Sequence, residues 1–201
     1  QNTYTYASTP PGEVYVNPNF TGTSPITGED DEHEIGDFVG GTLPDGEKCL
    51  LGSSSYRCTQ GPYGSYSHAN VAAVDVTGTD SFYAPTFCGK DNCVVTYSGS
   101  AYCSNGYAGG MVKFTATYGG STYEFTLIHV NTTYGVGTKL SAGQKVARVM
   151  TYQETTGACS SGEHLHIQTK VNGTVVNPWE VLTKGSSSGG FGCNIGSCPV
   201  D

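Results

Sequence analysis

The stretch that most constrains this chain is Gly162-Glu163-His164-Leu165-His166-Ile167-Gln168. A β-strand sends alternate side chains to the same side. A strand here therefore puts His164, His166 and Gln168 on one face and Leu165 and Ile167 on the other. Two imidazoles about 7 Å apart at their Cα atoms, by the rise of a strand, can both reach one metal ion. They can also divide the work, one holding the metal and one facing a substrate. A solvated pair on a half-buried strand is the bland alternative, and the rest of the chain decides between them.

Other segments have the same character. Val71–Val76, Cys93–Tyr97, Met111–Tyr118, Thr122–Val130 and Gln144–Val149 read as strands, with Gly119-Gly120 and Asn172-Gly173 as hairpin turns. Gly (29) and Tyr (14) are abundant, charged residues make up only 13%, and no window shows a sustained helical period. The expected fold class is all-β, mainly antiparallel sheet with long loops. A chain of 201 residues can bury one good-sized core with a small appendage.

The flanks differ from this body. Residues 1–64 read as a loop-rich N-terminal extension with short strands, carrying Pro10-Pro11, Asn17-Pro18 and the short apolar Val14-Tyr15-Val16. The acidic run from Glu29 to Asp37 lacks the spacing of a calcium loop and reads as solvated, with His33 titrating in solvent. Residues 184–201 are a Gly/Ser-rich tail.

Eight cysteines without a paired C-x-x-C spacing point to disulfides and an oxidising compartment rather than zinc thiolates. Proximity in sequence suggests Cys49–Cys58, Cys88–Cys93 and Cys193–Cys198, leaving Cys103–Cys159 as a long-range staple. Asn19, Asn131 and Asn172 head glycosylation sequons. The first residues show neither a basic nor an apolar targeting region, so a signal peptide, if one existed, is expected to have been removed, and the cysteines make a secreted, extracellular protein the expectation. A net charge of −8 and a pI near 4.9 make nucleic acid and anionic membranes poor partners. No apolar run approaches the roughly 18 residues of a membrane span. A monomer is expected.

Four of the five histidines, His68, His129, His164 and His166, fall in β-like segments, and Asp75 is embedded in the apolar run Ala73-Val74-Asp75-Val76. A carboxylate there is costly to bury unless something cationic meets it, and a zinc ion would. Catalytic zinc takes three His or carboxylate ligands and leaves a place for water, so two of these five residues would remain for proton transfer or oxyanion stabilisation. Spacing does not say which two.

His68…Asp75, Ile128-His129 and Gly162-Glu163-His164-Leu165-His166-Ile167 resemble the lysostaphin-type (LytM- and LasA-like) zinc metallopeptidases of bacterial cell walls. Further segments are similar to that family: Asp75-Val76…Ala84-Pro85, Gly109-Gly110-Met111-Val112-Lys113-Phe114, Gly137…Gly143-Gln144-Lys145-Val146-Ala147 and Asn172-Gly173…Val176-Asn177-Pro178. The resemblance covers about residues 65–183, implying a catalytic domain there. It implies a small antiparallel sheet with a cleft over one zinc ion per chain. His68, Asp75 and His166 would be the ligands, and His129 and His164 the catalytic pair. The six residues between His68 and Asp75 exceed the three found in many members. The implied substrate is a peptidoglycan cross-bridge or stem peptide, cut at Gly or another small residue. Tyr134, just after the His129 segment, is expected on a cleft loop as a substrate-binding residue.

Other chemistries fit less well. No Gly-x-Ser-x-Gly elbow appears, all eight cysteines can pair, and the only sheltered carboxylates for a glycosidase, Asp75 and Glu163, sit beside histidines. The rival from another class is a catalytically silent, secreted zinc-containing module that binds peptidoglycan or peptide without cleaving it.

Overall fold

The alternating segments become strands, and their pairing is antiparallel throughout. A computed structural model describes residues 50–51, 57–65, 67–89, 91–103, 106–151, 154, 163–182 and 198. Among them are β1 (Arg57–Gln60), β2 (Ala73–Thr77), β3 (Ser81–Tyr83), β4 (Cys93–Cys103) and β5 (Gly106–Tyr118). These are followed by β6 (Ser121–Asn131), β7 (Lys145–Val149), β8 (Leu165–Val171), β9 (Thr174–Val176) and one short helix, α1 (Pro178–Leu182). The main sheet runs β1-β2-β8-β6-β5-β4, with β9 beside β8 and a β3–β7 pair joined to β6. Among the described residues the structure is therefore mostly antiparallel sheet with almost no helix. No described helix is long and apolar enough to cross a membrane.

Both expected hairpins form. Gly119 and Gly120 have φ of 59° and 79°, and Asn172 and Gly173 have φ of 50° and 80°. Two successive positive-φ residues make the turn whose twist matches that of paired strands. Asn172 also ties the hairpins together: its Oδ1 accepts from Thr122 N at 2.9 Å, and its own N–H donates to Thr122 O at 2.8 Å.

Alternation gives the sheet two faces. Val74 and Val76, Phe114, Phe125 and Leu127, and Leu165 and Ile167 turn to one side and form the main core with Phe82. The Phe114 and Phe125 rings stack at 5.1 Å, and Phe82 tilts against them at 6.0 and 5.6 Å. Trp179, Val181 and Leu182 of α1, Ala147 and Val149 of β7, and the Leu50-Leu51 pair complete the cluster. Leu50, Leu51 and β1 all precede residue 65, so the sheet and its core reach beyond the segment that carries the family resemblance. On the other face Ala101, Ala108, Met111 and Ile128 form a smaller apolar cluster with Tyr97 against it. Asp75, His166 and Gln168 stand on this second face.

The disulfide pattern departs from proximity in sequence. Cys88–Cys93 forms as expected, but Cys58 pairs with Cys198, so Cys49–Cys58 and Cys193–Cys198 do not form. The reason is topological: Cys198 lies against edge strand β1, its sulfur 3.9 Å from Gln60 O, so nearness in space replaces nearness in sequence. Cys49, Cys159 and Cys193 lie outside the described residues, as do the Cys103–Cys159 link, Asn19, His33, the acidic run 29–37 and the 14–16 strand.

A bridge between positions 140 residues apart restrains the unfolded chain strongly. Replacing both Cys58 and Cys198 by Ser should lower unfolding stability by about 4–5 kcal/mol, measured by chemical denaturation. A non-reducing digest should yield a peptide linking Cys58 to Cys198, and a Cys49–Cys58 peptide would contradict the pairing.

Candidate metal centre

Asp75 on β2 and His166 on β8 are register partners in adjacent antiparallel strands, which brings side chains on one face within reach of each other. His166 Nδ1 lies 3.0 Å from Asp75 Oδ1. His68 arrives from the loop between β1 and β2, shaped by His68 N–H donating to Gly64 O at 2.9 Å and Val71 N–H donating to His68 O at 2.9 Å. Its Nε2 lies 3.2 Å from the same Asp75 oxygen. The three ligand atoms are all within 4.8 Å of one another and the three residues are buried.

The surrounding hydrogen bonds show what this cluster can hold. His68 Nδ1 lies 3.0 Å from Gly61 O. A carbonyl only accepts, so Nδ1 carries a proton and Nε2 is the nitrogen that a neutral ring turns to Asp75 as a donor atom for a metal. That Nε2 is buried without a hydrogen bond. His166 Nε2 lies 3.0 Å from Gln168 Oε1, which also only accepts, so Nδ1 is the nitrogen turned to Asp75. Two imidazole nitrogens and a carboxylate oxygen thus converge, and a proton or a cation must lie among them. Donor atoms around a four-coordinate metal with bonds of about 2.0–2.1 Å stand about 3.3 Å apart, close to the 3.2 and 3.0 Å seen here. The His68–Asp75–His166 group can hold a metal ion.

Electrostatics agree with the geometry. Burial alone would push the Asp75 carboxyl up, but His166 and His68 against it hold it far below the usual carboxylate range. Burial works to lower the His68 pKa, yet the adjoining Asp75 carboxylate outweighs it and raises it. Asp75 therefore stays anionic and favours positive charge beside it.

The remaining two histidines lie next to this group. His129 is 4.6 Å from His164 and 6.1 Å from His166, ring centroid to centroid, in edge-on arrangements. His164 Nε2 stands 3.6 Å from Asp75 Oδ1, and its side chain keeps 15% of its exposure, whereas His129 is buried at 3%. His164 is thus the more open of the two.

His129 reaches this position through a fault in the sheet. In strict alternation it would follow Phe125 and Leu127 into the main core. However, Gly110 pairs with Val130 and Met111 with Ile128, leaving His129 as the extra residue of a β-bulge. Its φ is +63°, rare for a residue with a β-carbon. Its Nδ1 is 2.6 Å from Ala108 O, which places the proton there and leaves Nε2 as an acceptor. Burial first, then the nearby His164 and His166, pushes its pKa down to about 3, so it is neutral at pH 7.

Gly109 makes the bulge possible. Its φ is +92°, and a β-carbon there would sit 2.6 Å from Met150 Sδ and 3.2 Å from His129 Cα.

All five residues expected to form the site are thus gathered on one face. Tyr134 packs as a half-buried residue against the main core in the loop after β6. Asn131 ends β6 opposite Arg148, and exposed Asn172 sits in the β8–β9 turn. Sequence reasoning placed Gln168 on the histidine face without giving it a task. It passed over Gln60, whose Nε2 donates to Asp75 Oδ2 at 3.1 Å. The i, i+2 spacing from His166 could have flagged Gln168, whereas no local signal marks Gln60.

No family model and no curated protein matches this chain.

Metal-stripped protein should rebind one divalent ion per chain in a titration, and Asp75→Ala or His166→Ala should weaken that binding by more than about 100-fold. His129→Ala should leave the stoichiometry unchanged. Gly109→Ala should lower unfolding stability by about 2 kcal/mol or more, measured by urea denaturation of the metal-free protein.

Proposed function

We propose that this protein is a secreted zinc metallo-endopeptidase that hydrolyses peptide bonds in bacterial peptidoglycan, with the fold of the lysostaphin-type enzymes it resembles. The observation that carries this reading is the convergence of His68 Nε2, Asp75 Oδ1 and His166 Nδ1 beside a second histidine pair. Mixed nitrogen and oxygen donors suit zinc. Three protein ligands leave a position open, as in catalytic zinc sites. The two disulfides among the described residues suit a secreted protein.

Zinc, when bound, supplies a Lewis acid that acidifies water and polarises a carbonyl. The chain's own residues do the rest. His68 Nε2 and His166 Nδ1 would hold the ion, their other ring nitrogens being engaged by Gly61 O and Gln168 Oε1. Asp75 supplies the anionic charge that attracts the cation. His129 offers Nε2 as the proton acceptor for the attacking water and returns that proton to the departing amine nitrogen. His164, at the open edge, donates to the oxyanion that forms on the former carbonyl. Overall the C–N bond breaks, water's hydroxyl adds to carbon and its proton ends on nitrogen.

Purified peptidoglycan incubated with zinc-loaded protein should release new amino groups, stop on chelation and resume when zinc is restored. His129→Ala and His164→Ala should each cut the rate by about 100-fold or more while zinc content stays near one per chain. Zinc-loaded protein that releases nothing from walls of several cross-link types would favour the silent binding module instead.

A further inference from the structure

We propose that Gln60 is a positioning residue of the metal centre, holding the outer oxygen of Asp75 so that a single carboxylate oxygen faces the ion. The inference rests on the metal-centre reading above and assigns a role to β1, a strand outside the segment that carries the family resemblance.

The register places Gln60. Arg57 pairs with Thr77 and Cys58 with Val76, so in a regular ladder Thr59 would oppose Asp75, and Gln60 would oppose Val74 on the core face. Instead Gln60 pairs with Asp75, and Thr59 is the extra residue of a bulge. A one-residue shift moves a side chain to the other face of a sheet. This bulge therefore turns an amide away from the apolar core and towards the carboxylate.

The hydrogen bonds define its orientation. Ser67 N–H donates to Gln60 Oε1 at 2.8 Å, so Oε1 is the acceptor and the amide cannot be reversed. The two Nε2 protons then go to Ser67 Oγ at 2.8 Å and to Asp75 Oδ2 at 3.1 Å. Asp75 Oδ1 is left for His68 and His166. Packing keeps the side chain in place, since a β-carbon on Gly64 would come within 2.7 Å of Gln60 Cγ. The backbone is restrained as well: the Cys58 and Cys198 sulfurs lie 3.4 and 3.9 Å from Gln60 O. The bond to Oδ2 occupies the outer oxygen, and the other contacts hold Gln60 in place to make it. Hydrogen bonds of this kind to metal-bound carboxylates are worth about 10–100-fold in metal affinity.

The test compares wild type with Gln60→Ala and Gln60→Met by competition titration with Zn²⁺ and by the visible spectrum of the Co²⁺-substituted protein. Both variants should bind Zn²⁺ about 10–100-fold more weakly. Their Co²⁺ bands should lose intensity as the second Asp75 oxygen joins the metal and raises its coordination number. Methionine fills the same space without a donor, so restoration of affinity and spectrum by Gln60→Met would overturn the proposal in favour of simple packing. Wild-type affinity and spectrum in Gln60→Ala would also overturn it. A wild-type protein that takes up neither Zn²⁺ nor Co²⁺ would overturn the metal-centre reading itself, a result distinct from either.

Discussion

An anionic carboxylate buried in the second strand of a β-sheet is the constraint around which this molecule is arranged. Asp75 is 7% exposed and has Val74 and Val76 as neighbours in the chain. A charge taken out of water at such a place costs several kcal/mol unless paired and hydrogen-bonded. The fold meets that requirement from three directions: β8 brings His166, the β1–β2 loop brings His68, and β1 brings Gln60. The strand order β1-β2-β8-β6 sets the carboxylate between these partners.

Regular β-structure alone would not have produced this arrangement. Alternation puts Asp75, His166 and Gln168 on one face for free, because they lie on adjacent strands in register. His129 and Gln60 have the wrong parity, and a one-residue bulge re-aims each of them. The bulge at His129 carries a left-handed backbone and depends on Gly109 to let Met150 and the His129 backbone come close. Such conformations persist only where the surroundings over-determine them. Here the Ala108 carbonyl and Met150 N–H, which donates to His129 O at 2.8 Å, do so.

The two faces divide the labour. One buries Phe82, Phe114, Phe125 and the α1 side chains, supplying the apolar burial that stabilises the sheet. The other carries the polar cluster on strands whose rigidity derives from that core. A site built on strands rather than on free loops holds its donor atoms in a fixed spacing before any ion arrives. Of the His68–Asp75–His166 group, His68 is the member that comes from a loop, and that loop is cross-braced by Gln60, Ser67 and the Gly61 carbonyl.

Much of this was legible in the chain. The His-x-His alternation, the improbable Asp75 and the Gly119-Gly120 and Asn172-Gly173 turns are local signals, because side-chain parity and turn conformation depend only on neighbouring residues. They determined the all-β class, the hairpins and the candidate ligands. Tertiary structure alone decided that His129 leaves the core face, that Gln60 serves Asp75, and that Cys58 joins Cys198 rather than Cys49. Each of these depends on where a strand slips by one residue or where a distant segment returns. A one-residue shift is settled by how a strand packs against its partner and the core, even when the two strands are neighbours in the chain, and it leaves no periodic trace in either.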